Sequence, residues 1–405
     1  MGVRGRLVGL AVVIGVVFAV LAVSGVFTAS AVTGALAPAN QFPVTESPSV
    51  YPDMGMDPVS VVFSPGGGLL ATANEGANDV SVFKVNASSG ALTPVTQSAT
   101  NGPSGMEPDS VAFSPGGGLL ATADESANAV SVFKVNPSTG ALTPVAGETP
   151  VSNAAFGVGP VSVAFSPGGG LLATASQSAA PLATASQRAN IVSVFKVDRS
   201  TGALTPVAQS RVSQSRSSNA YPNSVAFSPG GGLLATANED SMVSVFKVNP
   251  ATGALTRVTQ APASNAHTGA FPSSVAFSPR GGLLATANRG DTVSVFKVNP
   301  SSGALTPVRQ SPAASADTGL DPESVAFSPR GDLLGTANLA SDTVSVFKVN
   351  RSTGALTPVA QSPASNADTG AGTDPVSLAF SPGSGLLATA NRGAATVSVF
   401  TLASN

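Results

Sequence analysis

The chain has 405 residues; 42% are hydrophobic, only 10% are charged, and the formal net charge is −2. It contains no cysteine and no tryptophan. These figures exclude a disulfide scaffold, a thiolate metal centre and a general nucleic-acid binder, and they leave ample apolar material for a core.

Arg4 and Arg6 precede an uncharged apolar run from Leu7 to Phe27, followed by Ala29-Ser30-Ala31. A basic start, an apolar stretch and a small-residue site form an export signal. The run is also long enough to span a bilayer, so residues 1–31 read as a cleaved signal peptide or a retained N-terminal anchor. The protein is therefore expected to be secreted or held at the cell surface, with residues 7–27 as the membrane-associating part. Removing residues 1–31 removes Arg4 and Arg6 and no acidic residue, so the remainder is more acidic still.

From residue 32 to residue 405 the sequence reads as one domain. Seven near-copies of one motif start near residues 58, 108, 160, 222, 272, 322 and 375. In the second copy, Pro108-Asp109-Ser110-Val111-Ala112-Phe113 predicts strand a and Leu119-Leu120-Ala121-Thr122-Ala123 predicts strand b. Val130-Ser131-Val132-Phe133-Lys134-Val135 alternates as strand c, and Ala141-Leu142-Thr143-Pro144-Val145 follows as strand d. Four short strands recurring about every 50 residues predict an all-β, seven-bladed propeller with four antiparallel strands per blade. The proline in strand d recurs in most copies and cannot donate to a ladder, so d must be the outer edge. Ser114-Pro115-Gly116-Gly117 and Asn136-Pro137-Ser138-Thr139-Gly140 carry the residues of tight a–b and c–d turns.

In the third copy, Leu172–Gln177 recurs as Leu182–Gln187, a short duplication expected in the b–c loop. The seventh copy stops after strand c. Val32-Thr33-Gly34-Ala35-Leu36-Ala37-Pro38 resembles the Ser352–Pro358 segment, so the N-terminal strand is expected to complete the last blade and close the ring.

The motifs Pro-x-Ser-Val-Ala-Phe-Ser-Pro, Leu-Ala-Thr-Ala-Asn, Val-Ser-Val-Phe-Lys-Val and Ser-Thr-Gly-Ala-Leu resemble the YVTN and lactonase-like seven-bladed propellers. The resemblance covers essentially all of residues 32–405. It implies either a lactone hydrolase, of the 6-phosphogluconolactonase or muconate-lactonising type, or a non-catalytic surface propeller. Enzyme-like members are expected to carry His or Arg just after the blade proline. Here that place holds Val59-Ser60, Asp109-Ser110, Val161-Ser162, Asn223-Ser224, Ser273-Ser274, Glu323-Ser324 and Val376-Ser377. The channel mouth is thus expected to be ringed by Ser60, Ser110, Ser162, Ser224, Ser274, Ser324 and Ser377.

The single histidine, His267, replaces an aspartate of a repeated loop and reads as a loop-capping residue. The charges are better ordered. Propeller geometry puts the d–a and b–c loops on one face and the a–b and c–d turns on the other. All acids except Asp198 and Asp332 map to or near the loop face, while the strand-c lysines map towards the turn face. Asp57, Glu107, Asp109, Asp321, Glu323 and Asp374 are the candidate ligand-binding acids. No catalytic set, cofactor or metal site stands out. The leading expectation is a monomeric, exported, non-enzymatic propeller that takes a protein or small-molecule partner on its acidic face and no nucleic acid. The competing expectations are a lactonase-like hydrolase with a diverged site and a purely structural surface repeat.

Overall fold

The computed structural model describes residues 32–43, 57–95, 107–145, 159–177, 190–212, 220–258, 271–308, 319–359, 364–365, 373–383 and 385–404. Each copy of the motif folds as one antiparallel sheet, and seven sheets form. In blade 1 the order is Pro58–Phe63, Leu69–Asn74, Asp79–Val85, Leu92–Pro94, that is a, b, c, d from the inside outwards. Each strand a touches the strand a of both neighbouring blades, and blade 7 touches blade 1, so the seven inner strands close a ring around the axis. Among the described residues no helix is long and apolar enough to cross a membrane.

The turns follow from their residues. Asn136 Oδ1 accepts from the N–H groups of Ser138 and Thr139, and Gly140 N–H donates to the Asn136 carbonyl at 2.8 Å. A side-chain mimic of a backbone turn is what asparagine supplies here. The glycine that closes this turn is also a packing requirement. Gly202 has φ +89, and a Cβ on it would lie 2.7 Å from Val145 Cγ2 of the preceding blade.

Between blades the core is continuous, with one apolar cluster at each of the seven interfaces. At the first interface Ala71, Ala73 and Val82 of blade 1 meet Phe113, Leu120 and Phe133 of blade 2. Small side chains on one face and large ones on the other let the sheets approach without voids.

In blade 7 the order is Val32–Pro43, Thr396–Ser404, Leu386–Asn391, Pro375–Phe380, so the outer strand comes from the other end of the chain. Val32 lies opposite Ser404 and Pro43 opposite Thr396. Strand d is usually only three residues and covers only the turn-side part of strand c. Elsewhere that exposed ladder is covered differently: blade 3 lengthens strand d to Leu204–Arg211, and blade 6 gains a fifth strand, Ala364–Ser365, against Thr343 and Val344. His267 and the duplicated residues 182–187 lie outside the described residues.

Candidate active site

Strand a begins with a β-bulge in every blade. In blade 2, Pro108 pairs with Asp124 and Ser110 with Ala123, leaving Asp109 as the extra residue. A bulge breaks the strict alternation of side chains and re-aims its residues. The consequence for the serines is a correction. Ser60, Ser110, Ser162, Ser224, Ser274, Ser324 and Ser377 do form a ring, but all are fully buried rather than presented at an open mouth. Each hydroxyl oxygen accepts from a strand-a N–H of the next blade: Val111 to Ser60 at 3.3 Å, Val225 to Ser162 at 3.2 Å, and across the closure Val61 to Ser377 at 3.2 Å. The serines join blades.

The residue before the blade proline and the residue after strand b meet on the loop face. Glu75 N–H donates to the Asp57 carbonyl, and the same bond recurs in all seven blades, down to Arg392 N–H on Asp374. Asp57, Glu107, Asp321 and Asp374 stand at this rim with φ of 26°, 42°, 55° and 46°. The b–c corner of the preceding blade holds several of them: Glu107 N–H donates to Asn78 Oδ1, Asp321 N–H to Asp291 Oδ1 and Asp374 N–H to Asp342 Oδ1. Asp109 and Glu323, the other two candidate acids, lie beneath the rim and are each 2% exposed.

The structure sorts these acids into two groups. In blades 1 and 2, Asp109 and Glu125 lie side by side, with Glu75 and Glu107 close enough to raise both. Burial first, then those neighbouring carboxylates, pushes Asp109 well above the usual carboxylate range. Burial likewise pushes Glu125 up, and Asp109 beside it works against that rise. Crowding of like charges favours the protonated form of the most deeply buried carboxyl, Asp109. The second Asp109 oxygen, Oδ2, has no partner. Arg392 of blade 7 reaches Glu75 at 3.4 Å and brings positive charge to this network.

In blades 4 to 6, Arg289 Nε donates to Glu323 Oε1 at 2.7 Å and Nη2 to Oε2 at 3.3 Å, while Nη1 lies 3.7 Å from Glu239. Burial pushes the Glu323 carboxyl up to about 7, opposed by the guanidinium. A polar belt runs from blade 3 through this second group. Gln177 donates to Asn223 Oδ1, Asn223 donates to the Pro272 carbonyl, and Ser273 Oγ donates to the Pro322 carbonyl.

Glu125, Arg289 and Arg392 were not among the expected site residues. The resemblance points to His or Arg just after the blade proline, whereas these three leave strand b. The available signal was Asn-Arg-Gly at 288–290 and again at 391–393, where other blades carry acids or neutral residues. Among the described residues no group of three or more His, Cys, Asp or Glu side chains is arranged to hold a metal ion. The site can exchange protons and stabilise negative charge.

A family model described as "Lactonase, 7-bladed beta-propeller" matches residues 25–165, 182–268 and 222–369. Among solved structures, the chain is similar to the periplasmic gluconolactonase of Pseudomonas aeruginosa, with 20% identity over 86% of this chain and 90% of that one, TM-score 0.62. It is similar to a Bacteroides uniformis protein assigned as a 6-phosphogluconolactonase, with 22% identity over 74% and 83%, TM-score 0.57. It also resembles Kuenenia stuttgartiensis hydrazine synthase, with 16% identity over 89% and 99%, TM-score 0.58. At these identities the structural likenesses establish the fold. No curated protein matches the sequence. The family match overturns the leading expectation of a non-enzymatic binding propeller and favours the lactonase-like alternative. The chain belongs to the lactonase family of seven-bladed β-propellers.

Proposed function

We propose that the protein is a lactone hydrolase working at the loop-side mouth of the channel. The observation that carries this reading is the cluster of Asp109, Glu125, Glu75 and Glu107 at the loop face, with Asp109 buried and its Oδ2 without a partner. Asp109, buried and held well above the usual carboxylate range, keeps its proton beside Glu125. Glu125, half-buried at the exit of strand b, is the ionised member and the general base. It takes a proton from water as the water oxygen bonds to the lactone carbonyl carbon. Arg392 stabilises the negative charge that gathers on the carbonyl oxygen. As the ring C–O bond breaks, Glu125 returns the proton to the ring oxygen. Lactone and water become one open-chain hydroxy acid, and Glu125 ends as it began.

The solved relatives named for gluconolactone and 6-phosphogluconolactone make aldonolactones the first substrates to try. Residues 7–27 make this an exported or envelope-held enzyme in the same reading. Val32 pairs with Ser404 at the turn end of the last strand, so the chain enters the fold on the side away from the mouth.

The test is proton release during opening of D-glucono-1,5-lactone, corrected for spontaneous hydrolysis. The parent is expected to accelerate opening. Glu125→Gln is expected to lower kcat by about 100-fold or more, the usual worth of a general base. A parent that opens no lactone faster than buffer does, or a Glu125→Gln variant at full rate, defeats the proposal.

A further inference from the structure

The seven residues before the blade prolines are Asp57, Glu107, Gly159, Tyr221, Phe271, Asp321 and Asp374. All but Tyr221 have positive φ. Glycine and aspartate enter this region readily; a bulky aromatic does so only under strain. Phe271 adopts φ +58 and is 54% exposed. Burial therefore does not compensate its strain. Its backbone is fixed on both sides, since Phe271 N–H donates to Ser241 Oγ at 3.1 Å and its carbonyl accepts from Arg289 N–H at 3.0 Å. A strained residue that folding does not use, held on a functional face, points to a ligand.

Its surroundings narrow the ligand's chemistry. The accepted N–H belongs to Arg289, whose guanidinium joins Glu323 and Glu239. One stretch of the rim thus carries an exposed aromatic residue, a cation and a partly exposed carboxylate, joined through the backbone of Phe271 and Arg289. An aromatic face is negative and attracts the slightly positive C–H groups on one side of a polyhydroxylated ring. The hydroxyls of such a ring can donate to Glu239 and accept from Arg289. Among the described residues of this rim carboxylates outnumber arginines, and Arg289 and Arg392 are each tied to carboxylates. An added anionic group would be repelled.

We infer that Phe271 is the stacking platform of the site and that its ligand is a neutral, polyhydroxylated lactone ring. This rests on the lactone-hydrolase reading for the chemistry but not for the binding. The decisive variant is Phe271→Asn, which suits positive φ and adds no charge. The expected results are a melting temperature higher by about 1–3 °C, KM for D-glucono-1,5-lactone higher by about tenfold, and kcat within about twofold. Phe271→Tyr should keep the parental KM. Calorimetry with D-glucono-1,5-lactam, a closed ring that resists opening, reads binding alone. The lactam should bind the parent and lose about tenfold in affinity in Phe271→Asn. If that loss appears while the parent opens no lactone, the platform stands and the hydrolase reading fails. If the parent opens the lactone and Phe271→Asn leaves KM unchanged, or if the parent binds no lactam, the platform is overturned. A lower melting temperature with unchanged lactam affinity would assign Phe271 to folding and overturn it as well.

Discussion

Asp124 stands where blades 1, 4, 5, 6 and 7 carry asparagine and blade 3 carries serine. In blade 4 that asparagine accepts from Thr236 and donates to Ser244. Asp124 has no N–H to give, and Ser131 donates to it instead, at 2.6 Å. Full burial pushes its carboxyl up to about 7 against an ordinary 3.8. The folded chain therefore holds this proton more tightly than the unfolded one. Its contribution is complete below about pH 4 and is lost as pH rises through about 7. Asp124→Asn should then stabilise the protein by about 2 kcal/mol at pH 8 and by much less at pH 4.5, read as the difference in unfolding free energy at the two pH values. An equal gain at both would show that charge is not the cause. Arg289→Met should act in the opposite sense. It strands Glu323, which is 2% exposed, and should cost about 3 kcal/mol at pH 8. At pH 5 Glu323 can take up a proton, so most of that loss should vanish; a loss independent of pH would mean that packing, not charge, is what Arg289 supplies.

At the scale of the element, strand a was legible in outline and misread in detail. Its apolar run, the proline at its start and its fixed spacing all mark an inner strand. The bulge between Pro58 and Ser60 does not show in the residues, because nothing in Pro-x-Ser marks one position as supernumerary. The resemblance placed the serines in an open mouth; the bulge re-aims the start of strand a, and they turn to the next blade. The strand-edge proline and the turn residues were readable because each answers to the geometry of its own strand or turn. The site was not, because it joins the exit of strand b to the start of strand a, and Arg289 meets Glu323 from a different blade. The serine bonds have a measurable worth. Ser224→Ala leaves Val275 N–H buried without an acceptor and should cost about 1–3 kcal/mol of stability. Ser138→Ala is the control, since only its backbone N–H is engaged. A melting temperature that falls equally in both would remove the serine ring as the fastening between blades.

The whole molecule is electrically two-faced. Among the described acids only Asp198 and Asp332 lie in the turns, and the rest sit on or near the loop face. Lys84, Lys134, Lys196, Lys247, Lys297 and Lys348 are exposed, each opposite the first residue of strand b, just past the a–b turn. Among the described residues the mouth thus lies in a negative field, with Arg289 and Arg392 paired to carboxylates. Such a field acts on a substrate before contact, and salt screens it over about 8 Å at physiological ionic strength. A phosphorylated aldonolactone should therefore be a poor substrate at low salt, and its kcat/KM should rise as salt is added. The neutral lactone should respond little. Changing Asp57, Glu107, Asp321 and Asp374 together to asparagine removes four rim charges and keeps a residue that tolerates positive φ. That variant should gain several-fold in kcat/KM for the phosphorylated lactone at low salt and lose most of the salt dependence. It should alter stability little, since surface charges of this kind contribute about 1 kcal/mol each at most. Parallel salt titrations with the two lactones decide the matter. A parent that prefers the phosphorylated lactone at low salt, with a preference that fades as salt rises, would show that the arginines rather than the carboxylates govern the approach of substrate.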